Sequence, residues 1–167
     1  MSGFGYRFTG GEVERVPVKA ALACTADFVW VHLTSNEAEA QAWLRDAAKL
    51  DEYVVDALTA TETRPRCEAF ADGALLNLRG RSTEEVTSGD ALASVRIWAI
   101  KGRVYSVTRR ALIGIAEVEK EMEAGEIVDP GDFIAAVSTA ITTDLDPHVA
   151  DLGDELDDCE ERLDANR

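Results

Sequence analysis

The chain has 167 residues, 46% of them hydrophobic, which suits one domain with a real core and excludes disorder throughout. Its net charge of −15 excludes a nucleic-acid-binding surface, because that chemistry selects basic faces. No run approaches the roughly 20 apolar residues of a membrane helix, and the opening MSGFGYRFTGG lacks the basic start and apolar stretch of a signal peptide, so the chain reads as soluble and cytoplasmic.

Tyr6–Thr9 and Val13–Val18 flank Gly10-Gly11, a dipeptide able to supply the positive φ angles of a tight hairpin. Phe28–Leu33 (FVWVHL) is β-branched and aromatic, hence a buried strand. Thr34, Ser35 and Asn36, followed by Glu37 and Glu39, form a helix start of the capping-box kind. That helix is expected to run to about Leu50 with Ala40, Trp43, Leu44, Ala47 and Leu50 as its apolar stripe. A second helix fits Glu52–Thr61, with Val54, Val55 and Leu58 inward, and Pro65 stops helical structure near Arg64.

Arg66–Phe70 and Ala74–Arg79 flank Ala71-Asp72-Gly73, a hairpin signal. Glu84–Asp90 reads as a polar loop. Ala93–Ile100 and Arg103–Thr108 flank Lys101-Gly102 as a second alternating hairpin. A helix follows from about Ala111 to Ala124, with Gly125 as its stop. Asp129-Pro130-Gly131-Asp132 opens a last helical region whose stripe is Phe133, Ile134, Val137, Ile141 and Leu145; Pro147 kinks or ends it. Beyond Pro147, Val149, Leu152, Leu156, Cys159 and Leu163 are spaced three, four, three, four, the seam of a helix packing on another helix. Helical from Asp132 to Arg167, this element would be on the order of 50 Å long, a stalk that leads out of the domain.

Hairpin-joined strands with helices before and after them predict an α/β (α+β) fold: a mixed, largely antiparallel sheet covered by helices. Two regions are expected, a body over residues 1–128 and a helical region over 129–167. The charge divides unevenly between them: residues 129–167 hold 12 acids against Arg162 and Arg167. Such a tail attracts cations or a basic partner.

Enzyme signals are poor. There is no GxGxxG, no GxxxxGK[ST] and no GxSxG, so no catalytic residue and no required cofactor is assigned. Cys24, Cys67 and Cys159 are far apart and odd in number, and read as reduced, half-buried small apolar residues. His32, inside FVWVHL, reads as a satisfied structural histidine. Asp144, His148, Asp151 and Glu155 stand at steps of four, three and four, on one helix face. Imidazole with carboxylates is competent for zinc, and carboxylates alone for magnesium, so these four are the candidate metal ligands. The competing reading is an exposed histidine on a solvated face, and it weighs more, because some acid must fall near any histidine in so acidic a segment. Arg64-Pro65-Arg66 suits a salt-bridged corner. Arg79, Arg81, Arg109 and Arg110 read as surface scatter rather than a basic patch.

FVWVHL, then Ala40–Leu44 (AxxWL), then DALTATETRPRCEAFADGALLNLRG over residues 56–80, resembles the N-terminal domain of the CorA-like divalent metal-ion transporters, ZntB (zinc) branch. SVRIWAIKGRVYSVTRR over 94–110 and VADLGDELDDCEERLD over 149–164 fit as well. The resemblance implies an α/β/α cytoplasmic body, a stalk helix leading to a first membrane helix, and five copies in the assembled transporter. It implies divalent cations (zinc, magnesium, nickel or cobalt) as cargo, the cytoplasmic face of the inner membrane as location, and no nucleic-acid partner. The membrane helices and the Gly-Met-Asn signature of the family are not in these 167 residues, so contact with the membrane is expected only through them. The alternative is a freestanding acidic regulatory or adaptor domain whose terminal helix binds a partner.

Overall fold

The computed structural model describes residues 2–34, 38–61, 64–83 and 91–165. Among these, seven strands form one sheet in the order β2-β1-β3-β7-β6-β5-β4. The strands are β1 Gly3–Thr9, β2 Glu12–Val16, β3 Phe28–Leu33, β4 Arg66–Phe70, β5 Gly73–Arg81, β6 Leu92–Ile100 and β7 Arg103–Thr108. The pairing of β3 with β7 is parallel and every other neighbouring pair is antiparallel. The mixed, largely antiparallel sheet expected from the sequence is therefore the sheet that forms.

Each hairpin has a local cause. Gly10 and Gly11 take φ values of 59° and 91°, the doubly left-handed turn that matches strand twist. Gly73 works differently from the expectation. The turn between β4 and β5 is Ala71-Asp72, with Ala71 itself at φ 48°. Gly73 is already in β5, where a Cβ would come within 2.5–2.6 Å of Trp98, Ile100 and the Ala99 carbonyl. It is glycine because of close approach, not because of the turn.

Helices α1 Ala38–Ala42 and α2 Glu52–Thr59 cover one face of the sheet. The single helix expected through Leu50 is instead broken into α1 and a π turn over Trp43–Ala47, closed by Ala48 N–H donating to the Trp43 carbonyl at 3.0 Å. The extra residue in that turn shifts the inward positions: Ala40, Leu44 and Ala48 are buried, whereas Ala47 is exposed. Asp51 then caps α2, its carboxylate accepting from Tyr53 N–H at 2.8 Å. The capping box expected over residues 34–39 and the polar loop over 84–90 fall on residues 35–37 and 84–90, which lie outside the described residues.

Helices α3 Ile113–Glu123 and α4 Pro130–Ala165 cover the other face. Phe133 of α4 is fully buried and packs on Trp30 with ring centroids 4.9 Å apart. Ala136, Val137 and Ile141 follow it into the core. The first three turns of α4 thus belong to the packed body, although they lie beyond residue 128. Pro147 lies inside α4, which continues through it for 36 residues in all, about 54 Å. From Asp146 onward every described residue is exposed.

A tyrosine-centred cluster binds the β1–β2 hairpin to α3. The Tyr6 hydroxyl donates to Glu123 Oε1 at 2.7 Å and accepts from Arg15 Nε at 3.1 Å, while Arg15 also reaches Glu119 and lies 4.8 Å above the Phe4 ring. Burial first, and the Glu123 carboxylate second, push the Tyr6 hydroxyl well above the usual phenol range.

The cysteines depart from expectation. All three are exposed: Cys24 in the connection before β3, Cys67 on edge strand β4, and Cys159 on the projecting half of α4. None of the three reaches a core position: Cys24 is in a connection, Cys67 is on the outermost strand of the sheet, and Cys159 is on the part of α4 beyond the body.

His32 is as expected. It is 2% exposed. Trp30 Nε1–H donates to Ser106 Oγ at 2.8 Å, so the Ser106 hydroxyl proton is available to His32 Nδ1, also at 2.8 Å. His32 Nε2–H then faces Thr108 Oγ1 at 3.4 Å. Burial pulls the imidazole down to about 3 from an ordinary 6.5, so the folded chain holds it neutral. Its contribution to stability is full above pH 6.5 and is lost as pH falls from 6.5 towards 3, because only the unfolded chain takes up the proton there. This one group should cost about 1.4 kcal/mol per pH unit below 6.5. Urea titrations at pH 7 and pH 5 should show His32→Gln losing less stability between the two than the parent, by about 2 kcal/mol. Equal losses in the two proteins would remove His32 as the cause.

Candidate functional site

Two regions of the surface carry concentrated charge, on opposite faces of the sheet. The first is the projecting half of α4. Nine carboxylates (Asp146, Asp151, Asp154, Glu155, Asp157, Asp158, Glu160, Glu161 and Asp164) stand there against Arg162. Interleaved with them, Val149, Leu152, Leu156 and Leu163 are 60–70% exposed. Alone, such a helix is poorly supported. Pro147 removes one helical hydrogen bond, Gly153 costs about 1 kcal/mol relative to alanine, and acids at steps of three and four repel one another. The apolar seam and the like-charged flank thus share one exposed stretch of helix.

The four candidate metal ligands all lie on α4, but the structure does not gather them into a chelating group. Arg81, at the end of β5, donates from Nε to Asp144 Oδ2 at 3.1 Å and from Nη1 to His148 Nε2. Asp144 and His148 are thus engaged by a cation of the protein itself, while Asp151 and Glu155 lie one and two turns further out, exposed. Among the described residues no three His, Cys, Asp or Glu side chains are placed to hold a metal ion.

The second region corrects the reading of the arginines as scatter. Arg79, Arg109 and Arg110 converge with Arg96 around a pocket of about 90 Å³, together with Leu92, Ala93 and Ser94. Arg81 is the member that goes elsewhere, to α4. Arg96 is 3% exposed in the middle of β6. It was missed because it sits inside the apolar run SVRIWAI. The signal that could have found it is alternation: Ser94, Arg96 and Trp98 share one face of β6, and Asn77 and Arg79 stand opposite them on β5. Arg96 also lines a larger cleft, about 320 Å³, with Ala57, Leu58, Pro65, Leu75 and Asn77 among its walls. The Arg64-Pro65-Arg66 corner closes this cleft, and the Arg64 carbonyl accepts from Asn77 Nδ2 at 2.7 Å.

Among the described residues no helix is long and apolar enough to cross a membrane. A family model described as CorA-like Mg2+ transporter protein matches residues 25–167. The divalent cation transporter CmaX of Pseudomonas aeruginosa is 30% identical over 98% of this chain and 51% of its own. The zinc transport protein ZntB of Yersinia enterocolitica is 25% identical over 86% of this chain and 44% of its own. The chain therefore spans about half the length of these relatives. The solved structure of full-length CmaX superposes with a TM-score of 0.80 at 30% identity, covering 99% of this chain and 53% of that one. The cytoplasmic domain of ZntB from Vibrio parahaemolyticus RIMD 2210633 shares the fold, with a TM-score of 0.78 at 19% identity over 95% of this chain and 65% of that one. The likeness runs through the sheet, the helices on both faces and the long last helix, and the chain belongs to the CorA-like Mg2+ transporter family.

Proposed function

We propose that these residues form the cytoplasmic, ion-gathering part of a divalent-cation transporter of the ZntB and CmaX kind, with zinc or magnesium as cargo. The observation that carries this reading is the acid-laden half of α4, projecting about 30 Å beyond the last buried turns. Its carboxylates create a negative potential that raises the local concentration of cations. Its seam from Val149 to Leu163 suits packing against copies of itself, as in a ring of five stalks around one axis, which is the assembly the family resemblance implies. In such a ring the repulsion between neighbouring acids falls when divalent cations collect between the helices. The family match weighs against a freestanding adaptor, and no reaction is assigned to the chain.

The face Asp144, His148, Asp151 and Glu155 belongs to this field as a weak collector of ions rather than as a chelate, with Arg81 competing for its first two members. Body residues 1–128 and the helical region 129–167 then have separate tasks, the first to hold α4 at a fixed angle and the second to lead towards the membrane.

Two measurements test this reading. Calorimetry on the chain with zinc or magnesium should give weak, millimolar binding that 0.5 M salt screens, as a Debye length of about 4 Å leaves little of a diffuse field. Tight stoichiometric binding would replace the field with a discrete site. In proteoliposomes containing the full-length protein, replacing the α4 carboxylates beyond Pro147 with their amides should slow zinc uptake several-fold at low salt, and the difference should close at high salt. Uptake unaffected at either salt would sink the ion-gathering role.

A further inference from the structure

Helix α4 changes character just after Leu145. Up to that residue one side of it packs on the body: Phe133, Val137 and Ile141 are buried, and Leu145, partly buried, still lies against the core. From Asp146 onward every described residue is exposed. Pro147 lies inside the helix at this boundary. Proline has no N–H to donate to the carbonyl four residues back, here that of Thr143, and its ring crowds that carbonyl. The helix therefore loses a rung of its backbone ladder where the body stops supporting it. Helices bend most readily at such positions, and the residues from His148 to Ala165 are the lever that a bend there would swing.

Arg81 spans this weak turn. It stands at the end of β5, paired with Leu92 of β6, so its backbone is fixed in the sheet. Its Nε donates to Asp144 Oδ2 at 3.1 Å and its Nη1 to His148 Nε2. Asp144 precedes Pro147 and His148 follows it, four residues apart and hence on one face of the helix. The guanidinium is planar and rigid, so two donors on it fix the positions of both acceptors relative to the sheet. The Arg81 and Asp144 side chains are 33% and 21% exposed, and a partly sheltered pair of charges is screened less than one in open water. α4 holds no lysine, and its one arginine, Arg162, is near its far end. The cation that serves the Pro147 turn therefore comes from the body.

We propose that Arg81 is a positioning residue that clamps a proline hinge: by holding Asp144 and His148 on the two sides of Pro147, it keeps the projecting half of α4 in one direction relative to the sheet. Packing fixes the helix as far as Leu145, and the clamp carries that direction across the turn that lacks its backbone bond. With the clamp broken, the half beyond Pro147 keeps its helix but samples a range of directions about the hinge. The clamp is a property of this chain and needs no cation, so it stands apart from the ion-gathering reading.

Two exposed cysteines allow the test. Cys67 is on edge strand β4 and Cys159 on the projecting half of α4. With Cys24→Ser in place, spin labels on these two report the distance from body to stalk by pulsed electron paramagnetic resonance. Labelled chain is diluted with unlabelled chain, so that only distances within one molecule are read. The parent should give one narrow distribution. Arg81→Gln and Asp144→Ala should each widen it by about twofold or more, with the helical signal in far-UV circular dichroism unchanged. Adding Pro147→Ala to Arg81→Gln restores the missing backbone bond and should narrow the distribution again, a rescue that a general supporting role for Arg81 does not produce. A width unchanged in either single variant, or one that Pro147→Ala leaves wide, would overturn the proposal. So would a loss of helical signal matching the half beyond Pro147, because Arg81 would then hold that helix together rather than aim it.

Discussion

The fold depends on a seam at the centre of the sheet, where β3 and β7 run parallel although some 70 residues separate them. A parallel pair cannot be closed by a hairpin, so this junction must be held by contacts rather than by chain connection. Ser106 supplies them. Its hydroxyl accepts from Trp30 and serves His32, both across the seam on β3. Trp30 in turn lies against Tyr6 of β1 and Phe133 of α4. One hydroxyl thereby joins the N-terminal hairpin, the C-terminal hairpins and the helix that leaves the body. Polar groups this deep are costly when unmade, so the network demands one register of β3 on β7 and rejects a slip by a residue.

From that seam the direction of α4 follows. Phe133 is held by Trp30, Ile141 fills the space left at Gly80 and Gly114, and Arg81 grips Asp144 and His148. Three attachments along about four turns define a line, and the rest of the helix extends along it. The strand seam and the stalk are in this sense one mechanical unit. An acidic helix without such a base would be free to swing, and its field would average over all directions.

Much of this was legible in the sequence because the signals are local. Phe28–Leu33 reads as a buried strand from its composition alone, and the three hairpins announce themselves in their turn residues. The π turn was not legible, since Ala40, Trp43, Leu44 and Ala47 make an acceptable α stripe and only packing decides that Ala48 is buried in place of Ala47. Exposure of the cysteines was not legible either, because it depends on which strand ends up at the sheet edge. Among site residues, Asp144 and His148 do share a face as their spacing requires. What spacing cannot reveal is that an arginine more than sixty residues away reaches them first. Arg96 was hidden by its apolar neighbours in sequence, though not by its neighbours across the sheet.

The two charged regions differ in a way that bears on what each can do. The carboxylates of α4 are exposed, numerous and supported by water, so their effect is long-ranged, non-specific and salt-dependent. The arginines of β5, β6 and the segment after β7 are few and partly desolvated, and two of them are fixed by backbone carbonyls. In such surroundings a charge acts over a short distance but with a geometry. The first arrangement makes a diffuse field that salt weakens, and the second a set of contacts fixed in place by the sheet.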